Sequence, residues 1–136
     1  MKTTIAIIAA LSLASAAFSA ENAADSNKLP PASDKKDVTY QKDIKPIFET
    51  SCVKCHSGEK AKGKLHLDSL AGALKGGHDG KVILPGNSAK SDLVLSVAHI
   101  GDEESWMPPL RNRAGIKPLT GEQIGLIRAW IDQGAK

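Results

Sequence analysis

The sequence predicts an all-α fold built from short helices, and three observations carry that expectation. The clearest is the stretch that opens at Thr120. Thr120 and Gln123 form a capping box, Ile124, Ile127 and Ile131 recur on one face widened by Leu126 and Trp130, and Gly134 follows the end. The second is residues 40–51, where Tyr40, Ile44, Ile47, Phe48 and Ser51 fall near helical spacing. The third is that period-two alternation is weak throughout and no internal repeat is present.

The chain has 136 residues, the size of one domain. Its start reads as a secretory signal. Lys2 supplies positive charge, Ile5 to Ala17 is an apolar, Ala-rich run, and a cut after Ser19 leaves the small residues Ser19 and Ala17 at the last and third-last positions. The run is shorter than the ~20 apolar residues that a membrane span requires, so no stable span is expected. Residues 1–19 are therefore read as a signal peptide that directs the chain to the periplasm. Residues 20–38, rich in Asn, Asp, Ser, Lys and Ala and carrying Pro30-Pro31, read as a flexible linker, and residues 39–136 as the folded domain.

Within the domain each element has a local signal. Pro46 is tolerated in the first helix if the regular part starts close to Asp43 as N-cap. Ser57-Gly58 opens a basic, Gly-broken loop, and Leu65 and Leu67 flank His66 in an extended alternation. Asp68 is placed to cap a short helix with Leu70 and Leu74 on one face, ended by Gly76-Gly77, and His78-Asp79-Gly80 is a turn. Val82 to Leu84 is a short apolar run stopped by Pro85-Gly86. Ser88 is placed to cap a buried helix from about Ala89 to His99. An acidic loop from Gly101 to Glu104 leads into Trp106-Met107-Pro108-Pro109, and residues 110–119 are irregular and basic. Gly125 inside the last helix costs about 1 kcal/mol relative to Ala, which suits either a close helix–helix crossing or a plainly exposed site.

Composition narrows the function. The formal net charge of +3 falls to +2 when Lys2 leaves with the signal, which is not the balance of a nucleic-acid-binding protein. Aromatic side chains are few, so the core is modest, and a buried prosthetic group would supply apolar surface the side chains lack.

The chemistry concentrates at Cys52-Val53-Lys54-Cys55-His56. C-x-x-C-H is the attachment signature of a c-type haem. The two thiols can add across the two vinyl groups of one haem c. His56 directly follows, so its imidazole can reach the tethered iron as proximal ligand. The alternatives are a zinc half-site, a structural cysteine pair or a thioredoxin-like motif, but the last needs a βαβ context that the sequence lacks. Export weighs the same way: these are the chain's only cysteines, and in an oxidising compartment an unprotected pair tends towards a disulfide.

A sixth iron ligand must then be found. With Met1 removed, Met107 is the one thioether of the mature chain, held in a loop stiffened by Pro108 and Pro109. His99 is the main rival. His66 and His78 read as packed or solvated side chains. His/Met ligation favours ferrous iron and leaves no open position, which suits electron transfer rather than catalysis. The expected protein is an exported monohaem cytochrome, a monomer that carries single electrons between redox partner proteins and is not an enzyme. The competing readings are a haem enzyme or gas sensor with a displaceable Met107, and an electron-transfer subunit of a larger redox complex.

With these residues in hand, the sequence resembles the planctomycete-type cytochrome c domain, a branch of the class I cytochrome c fold. The similarity runs through DIKPIFETSCVKCH (43–56), KGKLHLDS (62–69), LKGG (74–77), ILPGNSAKSDLV (83–94), WMPP (106–109) and PLTGEQIGLIRAWIDQGA (118–135). C-x-x-C-H alone is generic, whereas the order of LDS, GG, PG, MPP and WIDQGA is specific. The resemblance implies one haem c bound through Cys52 and Cys55, with His56 and Met107 as axial ligands. It also implies short helices wrapped around that haem, with the first and last crossing where Phe48 and Trp130 meet. His66 stands where such sequences often carry Arg. Such domains are often fused to larger enzymes, so the resemblance identifies the cofactor better than the partner.

Three further expectations concern the surroundings. Lys54, Lys60, Lys62 and Lys64 would form either a positive rim facing an acidic redox partner or an ordinary solvated face. Trp106, Arg111 and Arg113 would reach the haem propionates as donors. A carbonyl near Pro85 would accept a hydrogen bond from His56 Nδ1 and set the ring orientation.

Overall fold

In the computed structural model, which describes residues 27–136, helices are the only extended regular elements. They are α1 (Lys45–Ser51), α2 (Leu70–Lys75), α3 (Asp92–Val97) and α4 (Gly121–Asp132). Among the described residues there is no β-strand, only an isolated bridge between Gly77 and Gly80. The all-α expectation holds. The signal segment 1–19 and the first part of the expected linker lie outside the described residues.

The first helical stretch is composite. Residues Tyr40–Ile44 wind as a π-helical turn, and the α-helix proper begins at Lys45 with Pro46 in its first turn. That placement suits Pro46, because first-turn N–H groups have no partner inside the helix. The cap is Thr39 rather than Asp43. Thr39 Oγ1 accepts from the Lys42 N–H at 3.4 Å, and Asp43 Oδ2 accepts from the Thr39 N–H at 2.9 Å. Asp43 also takes a 2.5 Å bond from the Lys35 ammonium. That bond, with help from the Thr39 N–H, holds its carboxyl below the usual carboxylate range.

Two other helix starts differ from expectation. α2 is capped by Ser69, whose hydroxyl accepts from the Gly72 N–H at 3.1 Å, and not by Asp68. The segment expected as one helix from Ala89 to His99 divides into a 3-10 turn at Ser88–Lys90 and α3. Tertiary bonds explain the break. The Ser91 hydroxyl donates to Asn87 O and accepts from the Leu84 N–H, both at 2.9 Å. Asp132 accepts from the Ser88 N–H at 2.8 Å and from the Ser88 hydroxyl at 2.9 Å. These partners draw the backbone of residues 88–91 out of a regular helix.

α4 forms as its capping box predicts, with Gln123 N–H to Thr120 Oγ1 at 3.2 Å and Thr120 N–H to Gln123 Oε1 at 2.9 Å. Its buried face carries Ile124, Ile127, Trp130 and Ile131. The two ends of the domain meet through an aromatic trio. Trp130 and Phe48 are both fully buried and pack edge to face at 6.3 Å, and Tyr40 lies 6.1 Å from Phe48 and 6.0 Å from Trp130. The Tyr40 hydroxyl donates to Leu67 O at 3.0 Å, which ties this core to the middle of the chain.

The described part of the expected linker, residues 27–38, is a packed strap. Leu29 and Val38 are buried, the Ser33 N–H donates to Gly125 O at 2.9 Å, and Gln133 Nε2 donates to Lys35 O at 2.8 Å. Arg128 Nη1 donates to Pro30 O. Composition misleads here because the strap is held mainly through its backbone, which residue type does not report. Gly125 explains itself in the same contact. A Cβ there would sit 2.6 Å from Pro31 O, so the close approach is made by the strap and not by a second helix. Gly125→Ala is expected to lower stability by about 1–3 kcal/mol, less the ~1 kcal/mol that alanine returns as helix propensity. Urea melts should show the loss, and limited proteolysis should show new cleavage within residues 27–36. Unchanged stability with an uncut strap would refute the contact.

Candidate cofactor site

The attachment motif follows α1 without a gap. The Cys52 and Val53 N–H groups still donate to Phe48 O, at 2.8 and 2.9 Å, so the buried Phe48 side chain determines where the motif begins. The chain then closes a tight turn in which the N–H groups of Cys55 and His56 both donate to Cys52 O, at 3.1 and 3.0 Å. Two longer bonds hold the turn in place, from Lys62 N–H to Cys55 O at 2.9 Å and from Leu67 N–H to His56 O at 2.8 Å.

His56 has one tautomer available. Its Nδ1 lies 3.1 Å from Lys62 O, and a carbonyl only accepts, so the proton is on Nδ1 and the Nε2 lone pair is left for an electrophile. Burial lowers the pKa of the ring, partly offset by its backbone hydrogen bonds, so it stands neutral, the form that binds metals. The orienting carbonyl is that of Lys62 and not one near Pro85. A partner six residues away in a Gly-containing loop leaves no mark in residue type.

Both cysteines are free thiols. Burial, with the neighbouring Cys55, pushes the Cys52 thiol up to about 12. That is the reverse of a thiol–disulfide catalyst, whose attacking thiol has a depressed pKa. Among the described residues no three His, Cys, Asp or Glu side chains gather where they could hold a metal ion.

Cys52, Cys55, His56 and Met107 all line one cavity of about 300 Å³. Its walls are largely apolar, with Phe48, Leu65, Leu67, Leu93, Val97 and Leu119 among them. Met107 is delivered by a loop anchored on α3, its N–H donating to Ser96 O at 3.0 Å. Pro108 and Pro109 continue the wall. The fit to a haem is chemical: two free thiols, an imidazole, a thioether and an apolar surround line the same cavity.

The remaining sequence candidates fall elsewhere. His66, His78 and His99 are not among the cavity residues. His99 stacks on Trp106 at 4.9 Å with the rings 4° from parallel, and its buried Nε2 has no hydrogen-bond partner among the described residues. Trp106 differs from its expected role as a propionate donor, because its indole N–H already donates to Gly101 O at 3.1 Å. Arg111 and Arg113 are exposed. Sequence reading missed Asn112, a cavity residue whose only signal is an Asn in a stretch without helical or strand pattern.

Thiols three residues apart that open onto an apolar cavity beside an imidazole are the donor set that covalent haem attachment would use. Comparison with known families agrees and narrows it. Residues 52–110 match the family described as Planctomycete cytochrome C. No curated protein and no solved structure is significantly similar to the chain.

Proposed function

We propose that the protein is an exported monohaem cytochrome that carries single electrons, with His56 and Met107 as axial ligands of a haem c held by Cys52 and Cys55. The observation that carries this reading is the single cavity onto which all four residues open. When bound, the haem supplies a one-electron couple. His56 offers a neutral Nε2 whose direction is maintained by the Lys62 carbonyl. Met107 offers a soft thioether, which favours the reduced state and raises the potential. The apolar walls exclude water from the site.

Export rests on residues 1–19, and the absence of a long apolar helix among the described residues is compatible with a protein that does not span a membrane. For a partner, Lys54, Lys60, Lys62 and Lys64 are all exposed and adjoin the attachment turn in sequence, which suits an acidic redox protein.

An absorption spectrum of the mature protein tests the reading. The expected result is a low-spin ferric spectrum with the far-red methionine-to-iron band, and slow carbon monoxide binding after reduction. A high-spin spectrum with rapid carbon monoxide binding would replace the carrier by a haem enzyme or gas sensor.

A further inference from the structure

We propose that Asn112 is a positioning residue that clasps the loop carrying Met107 over the cavity, an inference that rests on Met107 being an iron ligand. Residues 109–116 form no helix or strand, and apart from the turn bond from the Gly115 N–H to Asn112 O at 3.2 Å their backbone lacks the pairing that usually stiffens a wall. The Asn112 side chain supplies it. Its Nδ2 donates to Pro109 O and to Ile116 O, both at 2.9 Å, and its Oδ1 accepts from the Ile116 N–H, also at 2.9 Å. One half-buried amide therefore satisfies three backbone groups and pins both ends of an eight-residue excursion.

The loop so closed belongs to the site. Pro108, Pro109, Asn112 and Ile116 line the same cavity as Met107, and Pro109 is two residues from it. Upstream, Met107 is fixed by its N–H bond to Ser96 O. Downstream, the first hydrogen bond that restrains the excursion is the one Asn112 makes to Pro109 O. A thioether binds iron weakly, so its occupancy depends on how far the loop is held near the metal. Asn112 never touches iron in this account. It sets how often the loop opens.

The test uses the ferric holoprotein and cyanide, which binds only when the loop releases the iron. Asn112→Ala removes all three hydrogen bonds and should speed cyanide association by roughly tenfold or more. Asn112→Asp keeps the acceptor for the Ile116 N–H but places a carboxylate against two carbonyls, so it should fall on the fast side as well. Ile131→Val, in the buried core and away from the cavity, serves as a control for general weakening and should leave the rate unchanged at comparable loss of melting temperature. If the unmodified protein shows the far-red band and both Asn112 variants bind cyanide within twofold of it, the Asn112 proposal falls alone. If the unmodified protein has no such band, the Met107 reading falls and takes this inference with it. Equal acceleration by Ile131→Val would reduce Asn112 to an ordinary structural residue.

Discussion

Met107→Ala is expected to abolish the far-red band, turn the ferric spectrum high-spin, lower the reduction potential and speed carbon monoxide binding by on the order of a hundredfold. The magnitude follows from population arithmetic: if the iron is open in about 1% of the unmodified molecules, removing the competing ligand multiplies the competent fraction by about 100. The potential falls because the thioether stabilises ferrous iron over ferric. His99→Ala is the matched comparison, since His99 was the rival ligand in the sequence. Its ring stacks on Trp106 and does not line the cavity, so His99→Ala should retain the band. Loss of the band in His99→Ala and its retention in Met107→Ala would exchange the two residues' roles.

The second large effect concerns stability. Trp130 is fully buried, meets both Phe48 and Tyr40, and its indole N–H donates to Lys136 O at 2.9 Å. Trp130→Ala deletes the largest buried side chain and leaves a void between the first and last helical segments. Such truncations cost about 3–5 kcal/mol, against a total stability of about 5–15 kcal/mol for a domain. Denaturant melts of the holoprotein should show this, and haem loading during maturation should drop in parallel. Trp130→Phe retains much of the apolar contact and forfeits the indole hydrogen bond, so it should lose about 1–2 kcal/mol. A cost under about 1 kcal/mol for the alanine variant would mean that the trio does not carry the core.

The two effects report on different layers of one arrangement. The aromatic trio fixes α1 against α4, and α1 in turn delivers Cys52 through the hydrogen bonds of Phe48 O. The site therefore inherits its position from the core, whereas the Met107 side is held by a loop with far fewer restraints. Weakness belongs on that side, and ligand-exchange kinetics should be the most sensitive indicator of damage anywhere in residues 107–116.

What could be read from the chain alone were the interactions local in sequence. C-x-x-C-H is contiguous, so the attachment chemistry expected of Cys52, Cys55 and His56 rests on adjacency alone. The Thr120–Gln123 capping box spans one turn, and the isoleucine stripe of α4 repeats every three or four residues. The glycine at 125 left open a close helix–helix crossing or an exposed site, and the structure shows an approach to the strap instead. The pairing of Phe48 with Trp130 came from resemblance and the geometry agrees with it.

Only the tertiary structure decided matters that depend on backbone groups brought together from distant places. The strap at 27–38 is held by carbonyls and N–H groups of a segment whose composition reads as a tether. The carbonyl that orients His56 is that of Lys62, and every residue has such a carbonyl, so no pattern of side chains could mark it. The breaks at Ser88 and Ser91 come from bonds to Asp132, Leu84 and Asn87 that outcompete the local helix. Residue types determined what this protein could attach; the distribution of backbone partners, invisible in residue types, determined how the attached group would be held.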